Sequence, residues 1–215
     1  VASIPLKPEY GPTLGELLAP RWHAASSRLR AFAVAAGLGL LALVLGAALT
    51  LENAHYSHGG AVPFSFSYRG LYRTAPGAGE YVRVQHPSHG RPVDSFAVGP
   101  LRLPPYSGGL SSELPLYAAT SYIAGLRHRY SRFVLRAEGK TRVNTVPAYT
   151  IAYTARLAGG QTVYGRDILL LPQRPGARQG VRIVMLSAPT PRVRNPLLVG
   201  TTGVLERPLG TFTLD

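Results

Sequence analysis

From residue 31 to residue 51 the chain carries no charge and only one polar side chain, Thr50. At the α-helical rise such a run reaches about 31 Å, the hydrocarbon thickness of a bilayer, so the pattern predicts one transmembrane helix. Before it, Lys7, Arg21, Arg28 and Arg30 outnumber Glu9 and Glu16; after it comes Glu52, with no Lys or Arg until Arg69. This asymmetry predicts a single-pass protein of the cell membrane with a cytoplasmic N-terminus and an extracytoplasmic C-terminal part. The run is too long for a signal-peptide core, and Glu52 stands where a cleavage site wants a small residue, so the segment reads as an uncleaved anchor.

The rest of the chain changes period. Thr13 and Glu16 have capping-box spacing ahead of Leu17 and Leu18, which suggests a short amphipathic helix in a cytoplasmic arm, residues 1–30. Residues 52–61 are polar and read as a linker. Phe64, Phe66 and Tyr68 alternate with serines, the period of a half-buried strand, and residues 81–84 and 96–103 supply further alternating segments. Leu116, Ala119, Ile123, Leu126 and Tyr130 recur at three and four, which predicts an amphipathic helix with Pro115 in its first turn. Residues 149–157, 162–171 and 181–186 then read as three strands, the first two joined by a hairpin at Gly159 and Gly160. They form an antiparallel meander. Asn195 and Pro196 look like an N-cap and first helical residue, and residues 211–214 like an added edge strand. The expected class is α+β: one N-terminal transmembrane helix, then an antiparallel sheet covered by helices over residues 62–215.

Composition narrows the chemistry. Cysteine is absent, which removes disulfides, thiolate nucleophiles and Cys-ligated zinc. Residues 52–215 carry 19 Lys plus Arg against 8 Asp plus Glu, nearly all arginine. Outside the cytoplasm such a surface favours anionic lipid, an acidic protein or an acidic envelope polymer, and nucleic acid is not an expected partner. Arginine over lysine, with abundant Ala, Gly and Pro, is also what a GC-rich genome yields without selection for binding.

Several blocks of residues 61–215 carry a resemblance: Phe64 to Tyr68, the helix around residues 116–130, residues 147–153, Gly165-Arg166-Asp167, and Thr211-Phe212. In these the chain resembles the PsbP/Mog1-like α+β domains, and more closely single-pass actinobacterial membrane proteins that look like them. The resemblance implies a non-catalytic accessory, assembly or ligand-binding role.

Candidate chemistry is sparse. His55 and His58, and His86 and His89, form two His-x-x-His pairs whose four imidazoles would suit Zn(II) or Cu(II) if the loops met; Pro87 and the following glycines argue against the helical geometry that would aim them together. Polar loop histidines are common without metal, so no metal or cofactor is expected. No Gly-x-Ser-x-Gly elbow or Walker loop occurs, the carboxylates are scattered, and Arg166-Asp167 reads most simply as a strand-flanking ion pair. No catalytic residue is assigned and an enzyme is not expected. In the apolar run Gly37, Gly39 and Gly46 fall in small-x-x-x-small patterns that let a second helix approach closely.

These features point to a non-enzymatic accessory or structural subunit of a larger membrane complex, in contact with integral membrane proteins and lipids. One alternative is a tethered domain binding a lipid or other amphiphile between sheet and helix; a metal-binding envelope protein is a third. A closed aromatic core around Tyr149, Ile151 and Tyr153 would favour the subunit, an open apolar pocket there the ligand-binding domain.

Overall fold

The computed structural model describes residues 26–50, 54–88, 91–107, 109–174 and 176–214. The chain divides into two compact units, residues 1–52 and 53–215.

In the first unit the described element is a helix, α1 (Ser27–Thr50). Its uncharged run predicts a membrane span. That reading is corrected: among the described residues no helix is long and apolar enough to cross one. With the anchor go the single-pass topology, the cell-membrane location with a cytoplasmic N-terminus, and the likeness to single-pass actinobacterial membrane proteins. A Cβ added at Gly37 or Gly39 would meet nothing within 4 Å. Gly46, like the expected helix in residues 1–30, lies outside the described side chains.

The second unit is the α+β domain. Its strands are β1 (Ala54–His58), β2 (Phe64–Tyr68), β3 (Tyr72–Thr74), β4 (Val82–Ser88) and β5 (Arg91–Arg102), then β6 (Ser131–Val143), β7 (Val146–Arg156), β8 (Thr162–Leu170), β9 (Gln179–Ser187) and β10 (Thr213–Leu214). Two sheets result, a three-stranded β1-β2-β10 and a seven-stranded β3-β4-β5-β9-β8-β7-β6, with antiparallel pairing throughout. The expected meander is present as β7, β8 and β9, in continuous register from Ala148 opposite Leu170 to Arg156 opposite Thr162. Its first connection is a five-residue loop, in which Leu157 N–H and Gly160 N–H donate to the Gln161 and Leu157 carbonyls, rather than a two-residue turn. Residues 52–61, expected to be a linker, contain β1, whose Tyr56 packs on Phe64 and Phe66.

Period two gives the large sheet two faces. One carries Val82, Val84, Phe96, Val98, Ile168, Leu170, Ile183 and Met185, and the inward residues of β2, Phe64 and Phe66, close over it together with Phe212. The other face holds a second core. Here Tyr149, Ile151, Tyr153, Val163 and Leu169 meet Leu114, Ala118, Ile123 and Leu126 from the helical segment between β5 and β6.

That segment runs as α2 (Leu110–Tyr117), a π-helical turn (Ala118–Tyr122) and α3 (Ile123–Arg129). It begins earlier than the sequence suggests, so Pro115 lies inside α2 rather than in its first turn. Proline cannot donate to the carbonyl four residues back; at the end of α2 the Ala118 N–H is shared between the carbonyls of Leu114 and Pro115, and a π-helical turn follows. Near the C-terminus Asn195 Oδ1 accepts from Leu197 N–H at 2.9 Å, the expected cap, but the helix it opens is a single 3-10 turn (Pro196–Leu198). Gly200 and Gly203, both at positive φ, end any continuation before α4 (Glu206–Gly210).

Candidate functional site: an arginine-lined cleft

The helical segment covers only part of its sheet face. It packs against β6 and β7 and shares a core with Val163 and Leu169 of β8 and Leu101 of β5, and α3 ends at Arg129. On that uncovered part the outward positions are Arg83 of β4, Ser95 and Ala97 of β5, and Arg182, Val184 and Leu186 of β9. These residues, with Arg129 and Tyr130 at the end of α3 and the loop before β4, line a cleft of about 200 Å³. A second chamber of about 200 Å³ shares Arg83, Ser95, Tyr130 and Leu186 with it and adds Gln85, Leu157 and Val163, so the two are contiguous.

Charge in the polar chamber is unbalanced. Arg83 donates to both Glu80 carboxylate oxygens, at 2.6 and 2.9 Å, and Gly77 N–H donates to the same group at 2.7 Å. Burial would raise the Glu80 pKa, but the Arg83 and Gly77 bonds outweigh it and hold the carboxylate below its usual range. Glu80 is thereby committed to Arg83. Arg182 donates from Nη2 to the Gly79 carbonyl at 3.1 Å, while its buried Nε has no hydrogen-bond partner among the described residues. The loop can lie so close because β5 has a glycine there: a Cβ at Gly99 would stand 2.4 Å from the Gly79 carbonyl oxygen. Arg182 and Arg129 therefore face the cleft without a carboxylate salt-bridge partner among the described residues.

Behind the cleft lies Asp167 of β8, the one fully buried carboxylate among the described residues. Tyr122 Oη donates to its Oδ2 at 2.8 Å and Tyr153 Oη to its Oδ1 at 3.0 Å. The Tyr153 ring reaches it by lying over Gly165, two residues earlier on the same face, where a Cβ would be 2.2 Å from the ring. Burial raises the Asp167 pKa to about 6, against the lowering pull of the two tyrosine bonds and of Arg129 and Arg182. Burial likewise pushes both tyrosines well above their usual value, helped by the Asp167 charge. At neutral pH the network holds a carboxylate with two phenolic donors.

No family model and no curated protein matches the chain. Among solved structures it is similar to cyanobacterial PsbP from Synechocystis sp. PCC 6803, at 13% identity and a TM-score of 0.48 over 77% of this chain and 94% of that one. It is also similar to the Ran-binding protein Mog1p of Saccharomyces cerevisiae, at 12% identity and TM-score 0.46, covering 76% of this chain and 96% of the other. A protein of unknown function from Pseudomonas aeruginosa matches at 9% identity and TM-score 0.34, over 64% and 71% of the respective chains. The PsbP/Mog1 resemblance thus stands as a remote likeness between α+β domains. Likenesses at this level say nothing about activity.

The histidine pairs do not make a metal centre; among the described residues no group of three or more metal-ligating side chains comes together. His55 and His58 lie three apart on a strand, which sends them to opposite faces. His55 Nδ1 meets Ser67 Oγ at 3.3 Å outside, while His58 stacks on Tyr81 with ring centroids 4.3 Å apart. His86 is on β4, opposite Asp94 in the other sheet, and His89 lies outside the described residues. The metal-binding reading is withdrawn. Arg166 and Asp167 do not flank a strand as an ion pair either. Being adjacent, they face opposite ways, and Arg166 donates to Thr150 Oγ1 and the Val199 carbonyl instead.

Around the meander the core is closed at Ile151 and Tyr153, both fully buried. Beside Tyr149 a pocket of about 290 Å³ opens between α2 and the β6–β7 hairpin, lined by Leu114, Pro115, Leu171, Lys140 and Arg142. The subunit of a larger membrane complex and the membrane-tethered amphiphile-binding domain both required the anchor, and both readings are corrected with it. Sequence reasoning missed the arginine cleft altogether. Arg83, Arg129 and Arg182 are far apart in the chain; the pairing of β4, β5 and β9 brings Arg83 and Arg182 together, and the end of α3 adds Arg129.

Proposed function

We propose that residues 53–215 form a non-catalytic accessory domain that binds an acidic segment of a partner protein in the cleft at the end of α3. The carrying observation is the convergence of Arg83, Arg129 and Arg182 on one cavity in which Glu80, the only carboxylate of the lining, is already committed to Arg83. Guanidinium groups without a carboxylate partner, in a concave and partly desolvated site, favour a carboxylate strongly because the charge-assisted bond meets less competition from water. A binding role fits the rest of the geometry better than catalysis does. Asp167, the group whose pKa would suit a general base near neutrality, is fully buried and spends both oxygens on tyrosine hydroxyls, out of reach of a bound reactant.

A basic chain attracts acidic peptides wherever its charge sits, so the test compares positions at equal charge. Fluorescence anisotropy with a labelled oligoglutamate is measured for wild type, for Arg129→Gln with Arg182→Gln, and for Arg127→Gln with Arg136→Gln. The cleft variant should bind about tenfold or more weakly, the loss of one or two charge-assisted bonds, and the control should change about twofold. Equal losses in the two variants would reduce the interaction to net charge and remove the cleft from it.

A further inference from the structure

The polar chamber does not end at its arginines. Along β9 the outward residues change from Arg182 to Val184 to Leu186, and past Leu186 the cleft continues into the chamber whose wall adds Leu157 and Val163. Tyr130 and Ser95 border both chambers. A ligand whose only feature is an anion fills the first chamber and leaves Leu157, Val163 and Leu186 of the second wet, beside its polar residues Gln85, Ser95 and Tyr130. One carrying an anion beside a bulky apolar group fills both.

We propose that the cleft recognises a short extended segment with an acidic side chain and a large apolar side chain two residues apart. This rests on the anion-binding reading above and adds its second determinant. The spacing follows from strand geometry: in an extended peptide residues i and i+2 point to the same side about 7 Å apart, whereas i and i+1 point to opposite sides. Both chambers open on one sheet face, so both contacts must come from the same side of the segment. The acidic group meets Arg129 and Arg182, and the apolar group packs on Leu157, Val163 and Leu186. Pocket-and-charge recognition of this kind gives specificity that net charge alone does not.

The experiment uses the full chain and five labelled hexapeptides with Gly/Ser flanks: Glu-Ser-Phe, Phe-Ser-Glu, Glu-Ser-Ser, Gln-Ser-Phe and the adjacent pair Glu-Phe. One of the two orders of glutamate and phenylalanine at two-residue spacing should bind about tenfold tighter than Glu-Ser-Ser, and tighter than the adjacent pair, since burying much of one aromatic side chain accounts for that factor. Leu157→Ser, at a half-buried position near the end of β7, should cut that preference to about twofold while leaving Glu-Ser-Ser unchanged, with far-ultraviolet circular dichroism checking the fold. If Glu-Ser-Ser binds as well as either spaced pair, the apolar determinant is wrong and simple anion binding stands. If inorganic phosphate competes fully and no peptide is preferred, the site takes small oxyanions and the proposal fails. If no glutamate peptide binds, both the anion reading and this one fail. Unchanged discrimination in Leu157→Ser would also overturn the proposal, by placing the apolar contact elsewhere.

Discussion

The same face of the large sheet has two unlike halves. Over β7 and β8 the outward positions are Ile151, Tyr153, Ala155, Val163 and Leu169, and the helical segment presses Ala118, Ile123 and Leu126 onto them until most are sealed from solvent. Over β4, β5 and β9 the equivalent positions are Arg83, Gln85, Ser95, Ala97, Arg182, Val184 and Leu186, which line the cleft at the end of α3. Backbone geometry and alternation are shared; residue type on one face and the length of the helical cover differ. The site lies where α3 stops at Arg129, beside sheet positions that mix Arg83, Arg182 and Ser95 with Ala97, Val184 and Leu186. Asp167 sits at the seam. Its tyrosine donors belong to the covered half and its arginine field to the open one.

The most severe way to break the covered half is Gly165→Val. Any Cβ at this site falls inside the Tyr153 ring, which has nowhere to go without releasing Asp167. We expect destabilisation of about 3 kcal/mol or more in urea unfolding, the upper end for overpacking a core. A loss under about 1 kcal/mol would mean that Tyr153 can leave Gly165 freely, and the tight pairing of the two would be wrong.

The seam itself makes stability depend on pH. Folded Asp167 keeps its proton up to about pH 6, whereas an ordinary carboxyl loses it near 3.8. Folding therefore takes up a proton between those values. This group's contribution is fully present below about pH 4 and is lost as pH rises through about 6, a swing of up to about 3 kcal/mol. In Asp167→Asn that descending slope should vanish from the unfolding free energy between pH 4 and 7. A wild-type curve that rises with pH and is matched by the variant would remove the burial of an ionisable Asp167 from the account.

How far this was legible in the sequence depends on which side of a strand carried the signal. The meander read cleanly because Ile151, Tyr153 and their neighbours alternate with polar residues without a break. The long edge strand β6 did not. Its outer positions hold Arg132, Arg136 and Lys140, two register shifts interrupt its pairing with β7, and Arg132 at φ 49° breaks the extended backbone near its start. Pro115 suggested a helix start because proline commonly opens helices, and here it lies inside α2, which begins at Leu110. Asp167 looked like a strand-end ion pair because a lone carboxylate beside an arginine usually is one; only Gly165, which makes room for Tyr153, hinted that the position is internal. The cleft had no local signature, since each of its arginines looks like an ordinary solvated charge.

A milder change sharpens the comparison by touching one bond at the seam. Tyr122→Phe removes the donor to Asp167 Oδ2 and leaves the ring in place. A buried acceptor that loses its partner costs about 1–3 kcal/mol at pH 7, where Asp167 is charged, and less at pH 4, where it is protonated. The Asp167 pKa should also rise in this variant, because the lost bond favoured the charged form. An equal loss at both pH values would assign the effect to ring packing rather than to the hydrogen bond.

The smallest expected effect lies wholly in the open half. Arg129→Gln removes a cation from the last turn of α3, where it also complements the helix dipole, so a loss of about 0.5 kcal/mol or less is expected at neutral pH. Because Arg129 helps hold the Asp167 pKa down, the same change should move that titration upward, by a smaller amount than Tyr122→Phe does. Binding of oligoglutamate should fall several-fold at the same time. The combination is what separates the two halves: substitutions in the covered half lower stability first, and this one lowers binding with the fold intact. If Arg129→Gln instead destabilises the domain by more than about 2 kcal/mol and binding follows only in proportion to the unfolded fraction, Arg129 belongs to the structural half and the cleft loses one of its two uncommitted cations.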